Sequence, residues 1–386
     1  MLLGFVGVPN SGKSTMLKAA TLADVQIASY PFTTIKPNQA VGYVITDCPC
    51  KRLNVTCNPQ NSKCVSGRRW IPVKILDVAG LVPGAHEGKG LGNKFLDDLR
   101  QADGLVHVLD ASGLTDSEGK QRTEDDLWDP GKNILVLEGE IDEWLSDIIQ
   151  KNIEKVETLA RMKKVPIERL LGEKLSGLGI GEDDIKRASA KTDMKSREFA
   201  TMLRRESKPI ITAANKIDKE SAKKNYDSLK SKHEDMIPTS ADLELALREA
   251  AEHGLIEYMP GDSDFRIISE ELNEKQKSAL DFIKNGVLKD YGSTGVQKVL
   301  NGMVFDKLQY ITVYPVASIG RLTDSKGNVL PDAYLVKKGT KLKEFAAKVH
   351  STMADKFIGG LDLGKKKLGA DHELKDGDVV EIIFSK

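Results

Sequence analysis

Leu2-Leu3-Gly4-Phe5-Val6 runs without a break into Gly7-Val8-Pro9-Asn10-Ser11-Gly12-Lys13-Ser14, and this stretch decides how the chain is read. The first five residues carry no polar side chain and read as a short buried strand. The next eight fit G-x-x-x-x-G-K-[ST]. Thr15-Met16-Leu17-Lys18-Ala19-Ala20 then reads as the start of a helix. Strand, glycine loop and helix in that order are the context in which this motif cradles phosphate. Glycine lets the backbone curl until its N–H groups point inward at phosphate oxygens. The helix N-terminus adds partial positive charge at the same place. Lys13 is expected to reach the β- and γ-phosphates of a nucleoside triphosphate, and the Ser14 hydroxyl to ligate Mg²⁺. Pro9, Asn10, Ser11, Gly12 and Thr15 complete the expected phosphate contacts.

Working outward, 386 residues allow two or three domains. A charged fraction of 30% beside 40% hydrophobic residues fits a soluble globular chain. No apolar run is long enough to span a bilayer. The N-terminal apolar stretch is only a few residues long and enters the glycine loop, so no signal peptide is expected. The expectation is a cytoplasmic chain with no membrane partner. Formal net charge is zero, so any binding to nucleic acid must come from a local patch.

After the first helix, Ser29 to Asn38 contains two prolines and several polar residues and reads as a loop. Strands are expected at Gln39–Ile45, Ile71–Leu76 and Leu105–Leu109. From about Ser112 to Ser207 the pattern turns helical. Ile141, Trp144, Leu145, Ile148, Ile149, Ile153, Val156 and Leu159 recur at helical spacing. This is an insertion, packed on the main sheet or standing off it, and its basic run Arg161–Lys164 reads as a solvated helix end. Strands resume at Pro209–Ala214 and Met236–Pro238, with a helix from Leu243 to His253 and a long amphipathic helix from Glu270 to Tyr291. The last eighty or so residues pack strands around one helix, Lys341–Ala354, which is the pattern of a small α+β module. Strands alternating with helices in the first part predict a parallel, doubly wound sheet.

Four further segments follow in the order a guanine-nucleotide site needs. Asp77-Val78-Ala79-Gly80 ends a strand. The Asp77 carboxylate is expected to hold Mg²⁺ and the Gly80 N–H to meet the γ-phosphate. Thr34, or its neighbour Thr33, can close onto Mg²⁺ from the proline-flanked loop. Such loops are ordered by triphosphate and released on hydrolysis. Asn215-Lys216-Ile217-Asp218 reads the base. A carboxylate at 218 accepts two hydrogen bonds from guanine N1–H and the exocyclic amine, a donor pair that adenine lacks. Asn215 is expected to bond the N7 side and brace the phosphate loop, with the Lys216 stem along the purine face. Ser240 and Ala241 are expected to offer backbone donors to guanine O6.

With these residues in view, a resemblance emerges. The run Asp77-Val78-Ala79-Gly80-Leu81-Val82-Pro83-Gly84-Ala85-His86-Glu87-Gly88-Lys89-Gly90-Leu91-Gly92-Asn93-Lys94-Phe95 resembles the Obg-like GTPases. Tyr30-Pro31-Phe32-Thr33-Thr34 and Pro9-Asn10 match the same group. The C-terminal module resembles a TGS domain, a ubiquitin-like β-grasp. Together they resemble the YchF branch in an archaeal-type form, over nearly the whole chain. The resemblance implies a P-loop GTPase sheet with a helical insertion and a C-terminal α+β β-grasp. It divides the chain into a GTP-binding domain at 1–111 and 208–254, an insertion at 112–207, a helical connector at 255–305 and a TGS domain at 306–386. It also implies association with ribosome or RNA through the TGS module and insertion. Many YchF relatives carry Asn-x-x-Glu at the base-reading motif and accept ATP. This chain keeps Asp218, so GTP is expected over ATP.

Leu81 stands where many small GTPases place a water-orienting glutamine, and leucine cannot hydrogen-bond water. Slow intrinsic hydrolysis is expected, with His86 or Glu87 as candidates to position the water and plain solvated loop residues as the alternative. Asn10 resembles the asparagine that ligates K⁺ in some related GTPases; its other role is to brace the loop. Cys48, Cys50, Cys57 and Cys64 are all the cysteines of the chain, in one short polar stretch that reads as a loop. Four thiolates suit tetrahedral zinc, with four ordinary thiols or one disulfide as alternatives. Lys337, Lys338, Lys341, Lys343 and Lys365-Lys366-Lys367 offer a basic patch on the last module.

Overall fold

The computed structural model describes residues 1–21, 38–78, 80, 84 and 92–385, with side chains at 92 and 93 left aside. Thr33, Thr34, Leu81, His86 and Glu87 lie outside the described residues. The chain opens with β1 (Leu2–Val6), α1 (Lys13–Thr21), β2 (Gln39–Asp47), α2 (Pro49–Leu53), β3 (Lys63–Val65), β4 (Arg68–Asp77), α3 (Gly92–Gln101) and β5 (Gly104–Asp110). Four helices follow: α4 (Pro130–Lys163), α5 (Ile167–Leu175), α6 (Glu182–Ser189) and α7 (Arg197–Ser207). Then come β6 (Ile210–Asn215), α8 (Glu220–Lys230), β7 (Met236–Pro238) and α9 (Ala241–Glu252).

The strands order as β2-β4-β1-β5-β6-β7, with β3 paired to β4. β1 pairs in parallel with β4 and β5, and β5 with β6, which in turn pairs with β7. From β4 through β1, β5 and β6 to β7 the strands run parallel, the doubly wound arrangement that the alternation of strands and helices predicts, while β3 runs antiparallel to β4. β1 and β5 are buried almost throughout, as a strand covered on both faces must be.

By its contacts the described chain forms two compact units, one of residues 1–21, 38–40 and 74–303, the other of 41–73 and 304–385. Chain order alone put 41–73 with the nucleotide-binding part; the contacts group it with the C-terminal module.

In the first unit the insertion packs on the sheet. Leu137, Ile141, Leu145, Ile149 and Ile153 of α4 fall every four residues and face one core with Phe95 and Leu99 of α3 and Leu105 of β5. Each such fully buried side chain contributes about 1.5–3 kcal/mol. Asp129 caps α4 by accepting from the Gly131 N–H at 2.9 Å, with Pro130 in the first turn. Arg204 of α7, 3% exposed, donates to Asp142 of α4 at 2.6 Å and fixes the two helices together. Residues Arg161–Lys164 are exposed at the α4 end, where Lys164 takes a left-handed backbone (φ 54°). One correction concerns 112–129. This stretch is an irregular loop rather than helix, and it packs on the glycine loop. The expected helical connector contains a two-stranded hairpin, β8 (Ile256–Glu257) and β9 (Arg266–Ile267). Its helices are α10 (Glu274–Ile283), which a π-turn over Lys284–Leu288 carries into α11 (Lys289–Tyr291), and α12 (Val296–Asn301).

The second unit holds β10 (Tyr310–Val316), β11 (Tyr334–Lys337), α13 (Leu342–Val349), α14 (Ser351–Asp355), β12 (Phe357–Leu361), β13 (Lys367–Leu368) and β14 (Asp378–Phe384). The sheet order is β11-β10-β14-β12-β13, with β10 and β14 parallel. Leu342, Phe345 and Ala346 of α13 bury against Val313, Val336 and Val380, which makes the small α+β module. The expected loop at Thr46–Arg69 is corrected as well. It carries α2 and the β3–β4 hairpin, turned at Ser66-Gly67 with both φ positive.

Candidate functional site

The site lies at the carboxyl ends of the parallel strands, where open α/β sheets bind ligands. The loop after β1 carries Asn10 at φ 64° and Gly12 at φ 91°. Gly12 has a second constraint: a β-carbon there would sit 2.2 Å from Asn215 Nδ2. Only glycine leaves room for the amide that braces the loop. Asn215, 2% exposed, donates from Nδ2 to the Ser11 carbonyl at 3.0 Å and accepts from the Ala241 N–H at 3.0 Å. One side chain therefore ties the phosphate loop to the start of α9. Lys216 donates from Nζ to the Asn10 carbonyl at 2.9 Å and pairs with Asp110 Oδ2 at 2.8 Å.

Lys13 and Asp77 form an ion pair, so the end of β4 reaches the phosphate loop. Gly80 lies beside Pro9: a β-carbon on it would be 3.9 Å from the proline ring. Ser14 is exposed in the first turn of α1 and Thr15 is half-buried. The exposed Ser14 hydroxyl and the Asp77 carboxylate are the hard oxygen donors that Mg²⁺ takes, and they fit such an ion bound beside phosphate. The Gly84 N–H donates to Glu140 of α4 at 2.6 Å.

At the base-reading end, Asp218 is half-buried and accepts from the Ser240 hydroxyl at 2.7 Å. Ser240 and Ala241, expected to offer backbone donors to guanine O6, lie at the start of α9 beside Asn215. The Ser240 N–H donates to the Thr294 carbonyl at 2.9 Å and the Ala241 N–H to Asn215, so both amides already have protein acceptors.

Several residues here escape sequence reading. Asp110, fully buried at the end of β5, accepts from the Ser112 N–H at 3.0 Å and hydroxyl at 2.5 Å and from the Thr115 hydroxyl at 2.7 Å, besides Lys216. Asn10 donates from Nδ2 to the Gly119 carbonyl at 3.0 Å, the bracing contact expected of it as one of two roles. Gly119 must be small, since a β-carbon would meet Pro9 at 2.7 Å. The signal was there only in part: Asp110 ends its strand level with Asn215, its Cα partner in register.

The cysteines converge in the second unit. The four sulfur atoms all lie within 4.8 Å of one another. Burial pushes the Cys48 thiol up, but the Arg69 guanidinium and hydrogen bonding at Cys50 bring it below its ordinary value. Burial and the neighbouring thiols push Cys50 to about 12 and raise Cys64 further. Of the basic residues on the module, Lys337 donates to the Leu308 carbonyl at 2.9 Å and Lys341 pairs with Asp371 at 3.0 Å. Lys338, Lys343 and Lys365–Lys367 are exposed.

Comparison with known proteins matches this geometry to a family. The family described as 50S ribosome-binding GTPase matches residues 2–139, the Obg-like GTPase YGR210-like, G4 motif-containing domain matches 213–318, and the TGS domain matches 326–384. A GTP-binding protein of Methanocaldococcus jannaschii is 49% identical over 99% of this chain and 98% of its own. The crystal structure of a GTP-binding protein from Pyrococcus horikoshii OT3 matches with TM-score 0.77 at 38% identity, covering all of both chains. The ribosome-binding ATPase YchF of Bacillus subtilis is 36% identical over 42% of this chain and 41% of its own. No helix among the described residues is long and apolar enough to cross a membrane. Motifs, fold and relatives agree that the chain belongs to the Obg-like GTPases of the YchF type, P-loop nucleoside triphosphate hydrolases with a C-terminal TGS domain.

Proposed function

We propose that this chain is a GTP-selective, Mg²⁺-dependent switch that acts in the cytoplasm on the ribosome or its RNA. The observation that carries selectivity is Asp218, set beside Ser240 at the end of the Asn215 brace. Its carboxylate takes the paired donors of guanine, whereas adenine offers it an acceptor at N1 and leaves a partly buried charge unmatched. At the phosphate end, Lys13 exchanges Asp77 for phosphate oxygens, which frees the Asp77 carboxylate. Ser14 and Asp77 would hold Mg²⁺, whose charge offsets that of the transferring phosphate. Thr34 and Gly80 are proposed to close on the γ-phosphate, with His86 a candidate for orienting the attacking water.

Asp218→Asn tests this reading. It is expected to shift preference from guanosine to xanthosine nucleotides, whose C2 carbonyl suits an amide donor. Unchanged guanosine preference in a folded variant removes the base-reading role.

The ribosome is supported as partner by the name of the Bacillus relative and by exposed Lys338, Lys343 and Lys365–Lys367. A second reading, a nucleotide-stabilised scaffold with negligible turnover, is favoured by Leu81 alone, which offers water no hydrogen bond.

A further inference from the structure

The stretch from Cys48 to Cys64, mostly polar, folds back tightly. The Cys48 N–H donates to the Gly67 carbonyl at 2.8 Å and the Val55 N–H to the Cys50 carbonyl at 3.0 Å, across a left-handed Asn54 (φ 50°). These turns bring together two cysteines at the start of α2, one from the following strap and one from β3. Cys48 Sγ lies 4.0 Å from Cys57 Sγ, and Cys50 Sγ lies 3.8 Å from Cys64 Sγ. A metal bound to four sulfurs at about 2.3 Å in a tetrahedron sets its ligands about 3.8 Å apart. A disulfide needs about 2.05 Å. All four cysteines are free thiols.

A second observation points the same way. Arg69 is fully buried within this unit. Its guanidinium donates to Ser62 Oγ at 3.0 Å and the Leu330 carbonyl at 2.8 Å, lies 5.3 Å over the Tyr314 ring, and adjoins the Cys48 thiol. Its Nε is buried with no hydrogen-bond partner. Asp332, half-buried, also feels this cation, and burial raises its pKa. A buried cation with a spare donor calls for an anion. Four thiolates around a divalent ion carry a net double negative charge and supply it.

We propose that Cys48, Cys50, Cys57 and Cys64 bind one structural Zn²⁺, releasing up to four thiol protons to solvent, with Arg69 neutralising part of the resulting charge. A closed four-thiolate set leaves no open position for substrate, so the ion is structural. What it holds is the strap 57–61. The Asn58 N–H donates to the Val329 carbonyl at 3.0 Å and the Gln60 N–H to the Pro331 carbonyl at 2.7 Å. The Asn61 side chain bonds the backbone of Ala333 twice, accepting from its N–H at 2.9 Å and donating to its carbonyl at 3.2 Å. The strap thus pairs like an added strand with 329–333.

The test uses the full chain purified without chelator. Elemental analysis is expected to give about one zinc per chain, and cobalt exchange to give the thiolate charge-transfer bands of a tetrahedral site. Cys57→Ser and Cys64→Ser are expected to lower zinc content about tenfold or more while GTP binding, read in the separate nucleotide site, is retained. Chelation of the wild-type chain is expected to speed amide exchange at Asn58, Gln60 and Val329. Should both variants fail to fold, zinc content and thiol counting on the wild type still decide. A metal-free chain whose four thiols react at once, two disulfides, or iron in place of zinc overturns the proposal.

Discussion

The smallest scale holds the sharpest constraints. Asp110 has no exposure and satisfies Lys216, Ser112 and Thr115 together. Removing one partner from a buried pair leaves the other uncompensated, at about 3 kcal/mol or more. Asp110→Ala is therefore expected to lower unfolding stability by about 3 kcal/mol and to loosen nucleotide binding, because Lys216 also holds the Asn10 carbonyl. Denaturant unfolding checks the first part, and a loss under about 0.5 kcal/mol would show the pair to be incidental. The sequence announced Lys13, Asn215 and Asp218 because each sits in a spaced motif. It was silent on Asp110, because an aspartate after a β-branched run reads as a strand end. Its ion-pair partner Lys216 comes from 106 residues away.

At the scale of elements, apolar period did most of the work. β1 and β7 fall where five and three residues of their sequence place them. The long α4 follows from leucines and isoleucines three and four apart. Periodicity failed at 48–65, where polar residues carry no repeat and turns with positive φ at Asn54, Ser66 and Gly67 shape the chain. It failed again at 112–129, whose form depends on distant Pro9 and Asn10. β5 also carries a titrating group. Burial, and secondarily the charge of His233, holds His107 down at about 4 against an ordinary 6.5. Below 6.5 the unfolded chain takes a proton that the folded chain refuses, so stability falls as pH drops from 6.5 toward 4. The loss reaches about 3 kcal/mol at the lower end and vanishes above neutrality. Melting profiles of the wild type and His107→Phe are expected to differ in slope across that window; parallel profiles would place the acid sensitivity elsewhere.

For the whole molecule, the nucleotide residues lie in one unit and the basic surface in the other. A switch working on the ribosome is expected to show multiple-turnover GTP hydrolysis that ribosomes accelerate. That stimulation should fall steeply with added salt, as phosphate contacts through lysines require. Turnover that stays negligible with ribosomes at low salt would favour the scaffold reading that Leu81 allows. Both readings rest on the choice of purine, and calorimetric titration of the full chain with GTP and with ATP in Mg²⁺ measures that choice. Two hydrogen bonds to a carboxylate predict GTP binding at least about a hundredfold tighter than ATP. Equal affinities, or heat with ATP alone, would contradict the account at Asp218.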